Sequence, residues 1–222
     1  MEWGSIMTRT FSEPMQSRRG LLKAAGSAAC ALAIPSLVSG RAEAATDALA
    51  SPRVVRPALL REALRAMERH QDRFAFRDRI AIADFSVPSS LPRFHLIDLE
   101  SGAATALLVA HGRGSDPGHT GWLQHFSNAP RSNASSEGAF LTGDYYAGKH
   151  GRSQRLIGLD ATNSNALDRA IVIHSAWYAN KEMLSTHGQL GRSQGCFAVA
   201  EAALDQVFGR LGPGRLLYAA RL

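Results

Sequence analysis

The chain has 222 residues, a formal charge of +6 and only two cysteines; 45% of its residues are apolar and 20% charged. This balance excludes a disordered chain, a collagen-like repeat and a disulfide-stapled miniprotein, and leaves length for one self-sufficient hydrophobic core. There is no internal repeat, no zinc-finger spacing, no basic and aromatic interleaving and no glycine-rich phosphate loop between a strand and a helix, and no nucleic-acid partner is expected.

In chain order, SRRGLLKAAGSAACALAIPSLVSGRAEAA, Ser17 to Ala45, comes first. A basic start, an apolar stretch of small residues and the AEA at Ala42 to Ala44 form the three-part pattern of an export signal. The paired Arg18 and Arg19 mark the twin-arginine type, which carries folded cargo. Lys23, Gly26 and Pro35 interrupt the apolar stretch, which argues against stable membrane insertion. Residues 1–45 are therefore expected to be a signal peptide, and the mature chain to lie in the periplasm or cell envelope. Cleavage near Ala44 removes Cys30 and leaves a mature chain of about 178 residues, a charge of about +4 and one thiol, Cys196. No intrachain disulfide is then possible, and the core must hold the fold alone.

Residues 46–57, with Pro52 and Pro57, read as a linker, and 58–222 as one domain. ALLREALRAMERH, Ala58 to His70, spaces Leu60, Leu64 and Met67 for an amphipathic helix, with Pro57 suited to its first turn. Arg79–Phe85, Arg93–Leu99 and Ala104–Ala110 alternate as three strands of a meander. From His111 to Glu137 the pattern dissolves into glycine, serine and asparagine. A loop of that length, bracketed by strands and carrying Trp122 and Phe126, is expected to be ordered and functional. Strands are expected again at Ala139–Thr142, Arg155–Asp160 and the start of Ala170–Tyr178, a short helix at Ser164–Arg169, a helix at Ala200–Leu211 and a last strand at Gly214–Ala220. The expected class is mostly β, with a mixed sheet and short flanking helices.

Cys196 stands in GRSQGCF, between Gly195 and Phe197. A cysteine attacks as thiolate and needs a base or a positive field. His70 and His95 sit in ordinary helix and strand positions. His174 differs: it ends the apolar run AIVI, and His111 ends LLVA in the same way, followed by Gly112. A histidine at the end of a buried strand is aimed by a rigid element. Gly195 permits a tight backbone path beside the thiol, and free amides in such a turn could form an oxyanion hole. The rival use of these residues is a zinc site drawn from His111, His119, His125 and His150, although their spacing fits no compact ligand pattern. No metal and no cofactor is expected.

Several segments together resemble a known family. They are VAHGRGS at Val109 to Ser115, FSNAPRSNASSEGAFLTGDYY at Phe126 to Tyr146 and GKHGRSQRLIGLD at Gly148 to Asp160. NALDRAIVIHSAWY at Asn165 to Tyr178 and GRSQGCFAV at Gly191 to Val199 follow. This stretch resembles the L,D-transpeptidase catalytic domain, the YkuD-like family, in its murein L,D-transpeptidase catalytic domain-like branch. The resemblance implies Cys196 as nucleophile, His174 as general base and the Ser175 carbonyl as the group that orients the imidazole. It implies a peptidoglycan stem peptide as substrate, attacked after meso-diaminopimelate with loss of D-alanine. The acyl-enzyme would pass to an acceptor amine, giving a transpeptidase, or to water, giving a carboxypeptidase. His111, Gly112, Tyr146, Arg192 and Gln194 are the substrate-binding candidates. Lys149, Arg152 and Arg155 are further cations that could meet a stem-peptide carboxylate.

The sequence also departs from the family pattern. The signature around the cysteine is close to S-H-G-C-x-R, and here Gln194 replaces the histidine and Ala198 the arginine. Phe197 stands where the branch commonly has proline. The alternative expectation is thus a non-catalytic envelope protein that binds stem peptides through the same cleft. A monomer is expected in either case.

Overall fold

The computed structural model describes residues 55–222. The expected signal peptide and all but the last three residues of the expected linker lie outside them. Those three belong to the fold: Val55 is buried, and Arg56 reaches Asp84 through Nε at 3.0 Å and Nη2 at 2.8 Å. The packed domain therefore starts before residue 58.

Helix α1, Pro57–Arg69, follows with Pro57 in its first turn, where a missing N–H costs nothing. It buries Leu59, Leu60, Ala63 and Ala66, the i, i+3/i+4 stripe of an amphipathic helix. Nine strands then form one mixed sheet: β1 Arg79–Asp84, β2 Phe94–Asp98, β3 Ala104–Leu107, β4 Val109–Ala110, β5 Gly138–Gly148, β6 Gly151–Gly158, β7 Val172–Ser175, β8 Phe197–Val199 and β9 Leu216–Ala220. Two short helices complete the set among the described residues, α2 Glu182–His187 and α3 Leu204–Leu211, the latter preceded by a single 3-10 turn at Glu201–Ala203.

The spatial order is β3-β2-β1-β9-β5-β6-β7-β8-β4. The pairs β1–β9 and β7–β8 are parallel and the others antiparallel. The central strands are apolar on both sides because both sides are covered. Ile80, Ile82, Leu216 and Tyr218 pack with α1, whereas Ala81, Ala83, Leu217 and Ala219 face the core that holds Phe85, Phe140, Phe197 and α3.

The expected single strand Ala104–Ala110 is two strands at opposite ends of that order, separated only by Leu108. One residue spans only a few ångströms, so the sheet must roll until its two edges meet there. Arg93 closes the seam. Its amide donates to Leu107 O at 2.9 Å, and its Nε and Nη2 donate to Val109 O at 3.1 and 3.0 Å. The Arg93 guanidinium is fully buried, lies 4.9 Å over the Phe85 ring, and has its pKa pushed down to about 9 by burial.

Three further expectations change. Residues 143–154 are not loop, because β5 and β6 form one long hairpin through them, with a bulge between Thr142 and Tyr145. Residues 161–170 are consecutive turns instead of a helix, ending at Ala170 with φ +52°. Helix α2, unforeseen, lies on the crossover that the parallel β7–β8 pair requires. No helix among the described residues is long and apolar enough to cross a membrane.

Candidate active site

The pairing of β7 with β8 builds the site. Ile173 stands beside Phe197 and His174 beside Ala198. Ile173 and Phe197 both point into the core, so the period of two turns His174 to the other face. Continuing the register by one residue sets Cys196 beside Val172, on the same face as His174. At ~3.3 Å per residue along a strand and ~4.8 Å between strands, the Cα atoms of Cys196 and His174 stand roughly 8 Å apart.

The thiol emerges from a tightly knit turn. Ser193 Oγ accepts from the Gly195 amide at 3.1 Å and donates to Cys196 O at 2.7 Å. Ser135 Oγ donates to Gly195 O at 3.1 Å and accepts from the Gly112 amide at 3.0 Å. Gly195 has φ +113°, and a Cβ there would lie 2.7 Å from Ala134 O and 2.8 Å from Ile171 Cδ1. Both conformation and space thus require glycine. The Gly195 amide is engaged by Ser193, so it is not among the free amides expected of this turn. A Cβ on Gly112 would lie 2.7 Å from Gly195 Cα, so Gly112 admits the cysteine loop.

Cys196 is 7% exposed. Its Sγ–H donates to Ala170 O at 3.5 Å, and the Val172 amide faces the sulfur; no hydrogen bond joins it to the His174 ring. Burial pushes the thiol up, and the Val172 amide, Lys149 and Arg169 oppose this without reversing it. The His174 ring, 1% exposed, shifts the opposite way. Burial lowers its pKa, the bond to Ser175 O raises it, and His150 and Lys149 lower it. Both shifts favour a neutral thiol and a neutral imidazole at rest over a preformed ion pair. His174 Nδ1–H donates to Ser175 O at 2.9 Å, which leaves Nε2 as the basic nitrogen.

A cleft of about 530 Å³ opens above the sulfur, bounded by the 130–133 loop, the tip of the β5–β6 hairpin, the 165–170 turns and the cysteine turn. Lys149 and His150 form the hairpin tip, and His150 stacks on His174 with ring centroids 4.5 Å apart. Three cations, Arg131, Lys149 and Arg169, face one acid, Asp168. Three of the four non-glycine residues with positive φ among the described residues, Arg131, Asn133 and Ala170, line this cleft. Each such conformation costs about 1–3 kcal/mol and persists only where the surroundings impose it, most often at functional sites.

The structure gathers Cys196, Gln194 and Tyr146 in the cleft walls, with His174 beneath His150. It sends other expected residues elsewhere. Arg192 Nη1 donates to the carbonyls of Asp116 and Pro117 and so anchors a loop. Buried His111 accepts from Arg93 Nη2 at Nδ1, 2.7 Å away, and its Nε2 lies 3.4 Å from Asp116 Oδ2. It lines no part of the cleft because this ion cluster holds it inside the fold. Arg155 lies over the Tyr146 ring at 4.4 Å, and Arg152 pairs with Asp205 at 2.6 Å on the surface. Ala198, where the signature has arginine, is fully buried beside His174. Among the described residues no three of His, Cys, Asp and Glu gather as a metal site, so the loop histidines do not converge. Arg169 and the His150 stack went unforeseen, because nothing local distinguishes a charged turn residue from a solvated one.

No protein with a curated description matches the sequence. Among solved structures, the chain is similar to an L,D-transpeptidase from Mycobacterium smegmatis, with 11% identity and TM-score 0.40, over 64% of this chain and 58% of that one. It is similar to an L,D-transpeptidase from Mycobacterium tuberculosis, with 13% identity and TM-score 0.38, over 65% and 58%. It is also similar to the helical cell shape determining protein Pgp2 from Campylobacter jejuni, with 9% identity and TM-score 0.42, over 72% and 54%. The matched region thus spans less than two thirds of each of those chains. The family model for the L,D-transpeptidase catalytic domain, YkuD_2, matches residues 52–220, and the chain belongs to that family.

Proposed function

We propose that the chain is a cysteine acyl-transfer enzyme acting on peptidoglycan stem peptides, as an L,D-transpeptidase or L,D-carboxypeptidase. One observation carries this reading: the β7–β8 register sets Cys196, on the floor of a cationic cleft, on the same face as a His174 whose Nε2 is the nitrogen left to accept a proton. Family membership supplies the substrate class.

The chemistry follows from the neutral resting pair. Nε2 takes the thiol proton as the sulfur attacks the amide carbonyl that joins meso-diaminopimelate to D-alanine. The sulfur–carbon bond forms and the carbonyl electron pair moves to oxygen. Collapse breaks the carbon–nitrogen bond, and the imidazolium returns its proton to the departing D-alanine amine. The thioester then passes to an acceptor amine, forming a new amide, or to water, forming a free acid. Ser175 O holds the imidazole tautomer in place of a carboxylate. Arg131 and Lys149, which line the cleft, suit the carboxylates of a stem peptide. The signal-like first 45 residues support export by the twin-arginine route, and the enzyme is proposed to act in the periplasm or cell envelope as a monomer.

Incubation of the purified chain with a diaminopimelate-containing tetrapeptide tests the reading. D-alanine is expected to be released, and Cys196→Ala to abolish release. Saturable binding of stem peptide without turnover, surviving Cys196→Ser, would instead indicate a binding protein.

A further inference from the structure

Arg169 is the last residue but one of the run of turns before β7 and lines the same cleft as Cys196. Its Nη1 donates to Ser127 O and Ser136 Oγ, both at 2.7 Å. Its Nη2 donates to Ser132 Oγ at 3.1 Å and to Ala134 O. All four Nη protons are thus satisfied, and every acceptor is a neutral carbonyl or hydroxyl. No carboxylate among the described residues pairs with it; Asp168, its neighbour in sequence, lines the cleft without doing so.

A partly buried charge is normally paired, because removing it from water is costly. Here hydrogen bonds satisfy the donors, yet the charge itself is left uncancelled. Arginine keeps that charge at any working pH. It points at the cysteine turn: Nη2 lies 3.2 Å from where a Cβ on Gly195 would stand. The sulfur, once it has lost its proton, is an anion whose charge couples to Arg169.

We propose that Arg169 is a positioning residue for Cys196, holding an uncompensated positive charge beside the sulfur so that the thiolate formed during proton transfer to His174 is stabilised. The same fork of donors ties the 127–136 segment over the cleft, a task for the planar guanidinium and not for a point charge. This role rests on Cys196 being the nucleophile of the proposed function. The other titratable groups about the sulfur are His174 from β7, Lys149 and His150 from the hairpin tip, Tyr178 after β7, and Arg131 and Asp168 from the cleft walls. Of the cations among these, Arg131 and Lys149 make no side-chain hydrogen bond among the described residues, whereas Arg169 is fixed by four.

The test is the pH dependence of iodoacetamide alkylation of Cys196 in the full chain, for wild type, Arg169→Met, Arg169→Lys and His174→Ala. Arg169→Met is expected to move the thiol midpoint up by about one pH unit and to slow alkylation at pH 7 roughly tenfold. Arg169→Lys keeps the charge but not the four bonds, and is expected to keep most of the wild-type midpoint. If Arg169→Met does not fold, the lysine variant decides alone, since loss of the bonds without loss of charge must leave the midpoint near wild type. Equal shifts in both variants, or none in Arg169→Met, overturn the proposal. The proposed function fails separately, if wild type never forms an acyl adduct with the tetrapeptide.

Discussion

His111 and His174 begin from the same local pattern, each following an apolar run and each 1% exposed, and they end in different chemistry. His111 is caught between Arg93 and Asp116. Arginine can only donate, so His111 Nδ1 must accept, and the remaining Nε2–H faces Asp116 without a hydrogen bond. Burial, with Arg93 adding to it, pushes its pKa down to about 3. His174 instead donates from Nδ1 to a backbone carbonyl and leaves Nε2 free beneath the cleft wall. One imidazole is a spacer inside an ion cluster, and the other keeps an open lone pair on Nε2. The neighbours that a strand end meets, more than the strand end itself, decide which results.

The largest expected effect breaks this contrast at His174. His174→Ala should slow acylation by about 10²–10⁴-fold, the usual worth of a general base, with a thermal midpoint close to wild type. Acyl-enzyme formation by stopped mass spectrometry, beside a melting curve, measures both. His111→Gln should do the reverse. It leaves Arg93 and Asp116 without their shared neighbour and should cost about 2–4 kcal/mol in urea unfolding, while the folded fraction acylates at near the wild-type rate.

The same histidine sets an acid limb. The folded-state pKa of His111, about 3, lies below its unfolded value, about 6.5, so the unfolded chain binds the proton first. Stability from this group is therefore present above pH ~6.5 and is lost progressively as pH falls toward about 3. His111→Gln should flatten that limb of the stability profile, and an unchanged slope would place the acid sensitivity elsewhere. Smallest is the effect of the hairpin tip. His150 and Lys149 both lower the His174 pKa, so Lys149→Met should raise the acid-side midpoint of kcat/KM by a few tenths of a unit. A fall in that midpoint would contradict this charge coupling between Lys149 and His174.

What could be read from the sequence follows the physics of burial. Strands β1, β2 and β9 were visible because each face of them meets a core, which writes apolar runs such as Ile80–Ala83 and Leu216–Ala220. The β5–β6 hairpin was not visible beyond Thr142, because Gly143–Arg152 is mostly solvent-facing and carries no apolar period. The segment 164–169 resembled a helix because Ala166 and Leu167 sit among helix-compatible residues. The bond from Ile171 N to Ala166 O and the positive φ of Ala170 end it as turns. The split of Ala104–Ala110 depends on the two sheet edges meeting, a nonlocal event that no window of sequence contains. At the site, Cys196, His174 and the Ser175 carbonyl were singled out from motif and position as the proposed nucleophile, base and orienting group. Arg169 was not, since its importance lies in four acceptors spread over Ser127–Ser136.

The central claim is that Cys196 carries the acyl group, and the intact mass of the full chain after brief exposure to a diaminopimelate tetrapeptide tests it most directly. The account predicts a gain equal to the tripeptide acyl group, with D-alanine lost, mapped by fragmentation to Cys196 and absent in Cys196→Ser. An unmodified wild-type chain that nevertheless releases D-alanine, or an adduct that persists in Cys196→Ser, would contradict it.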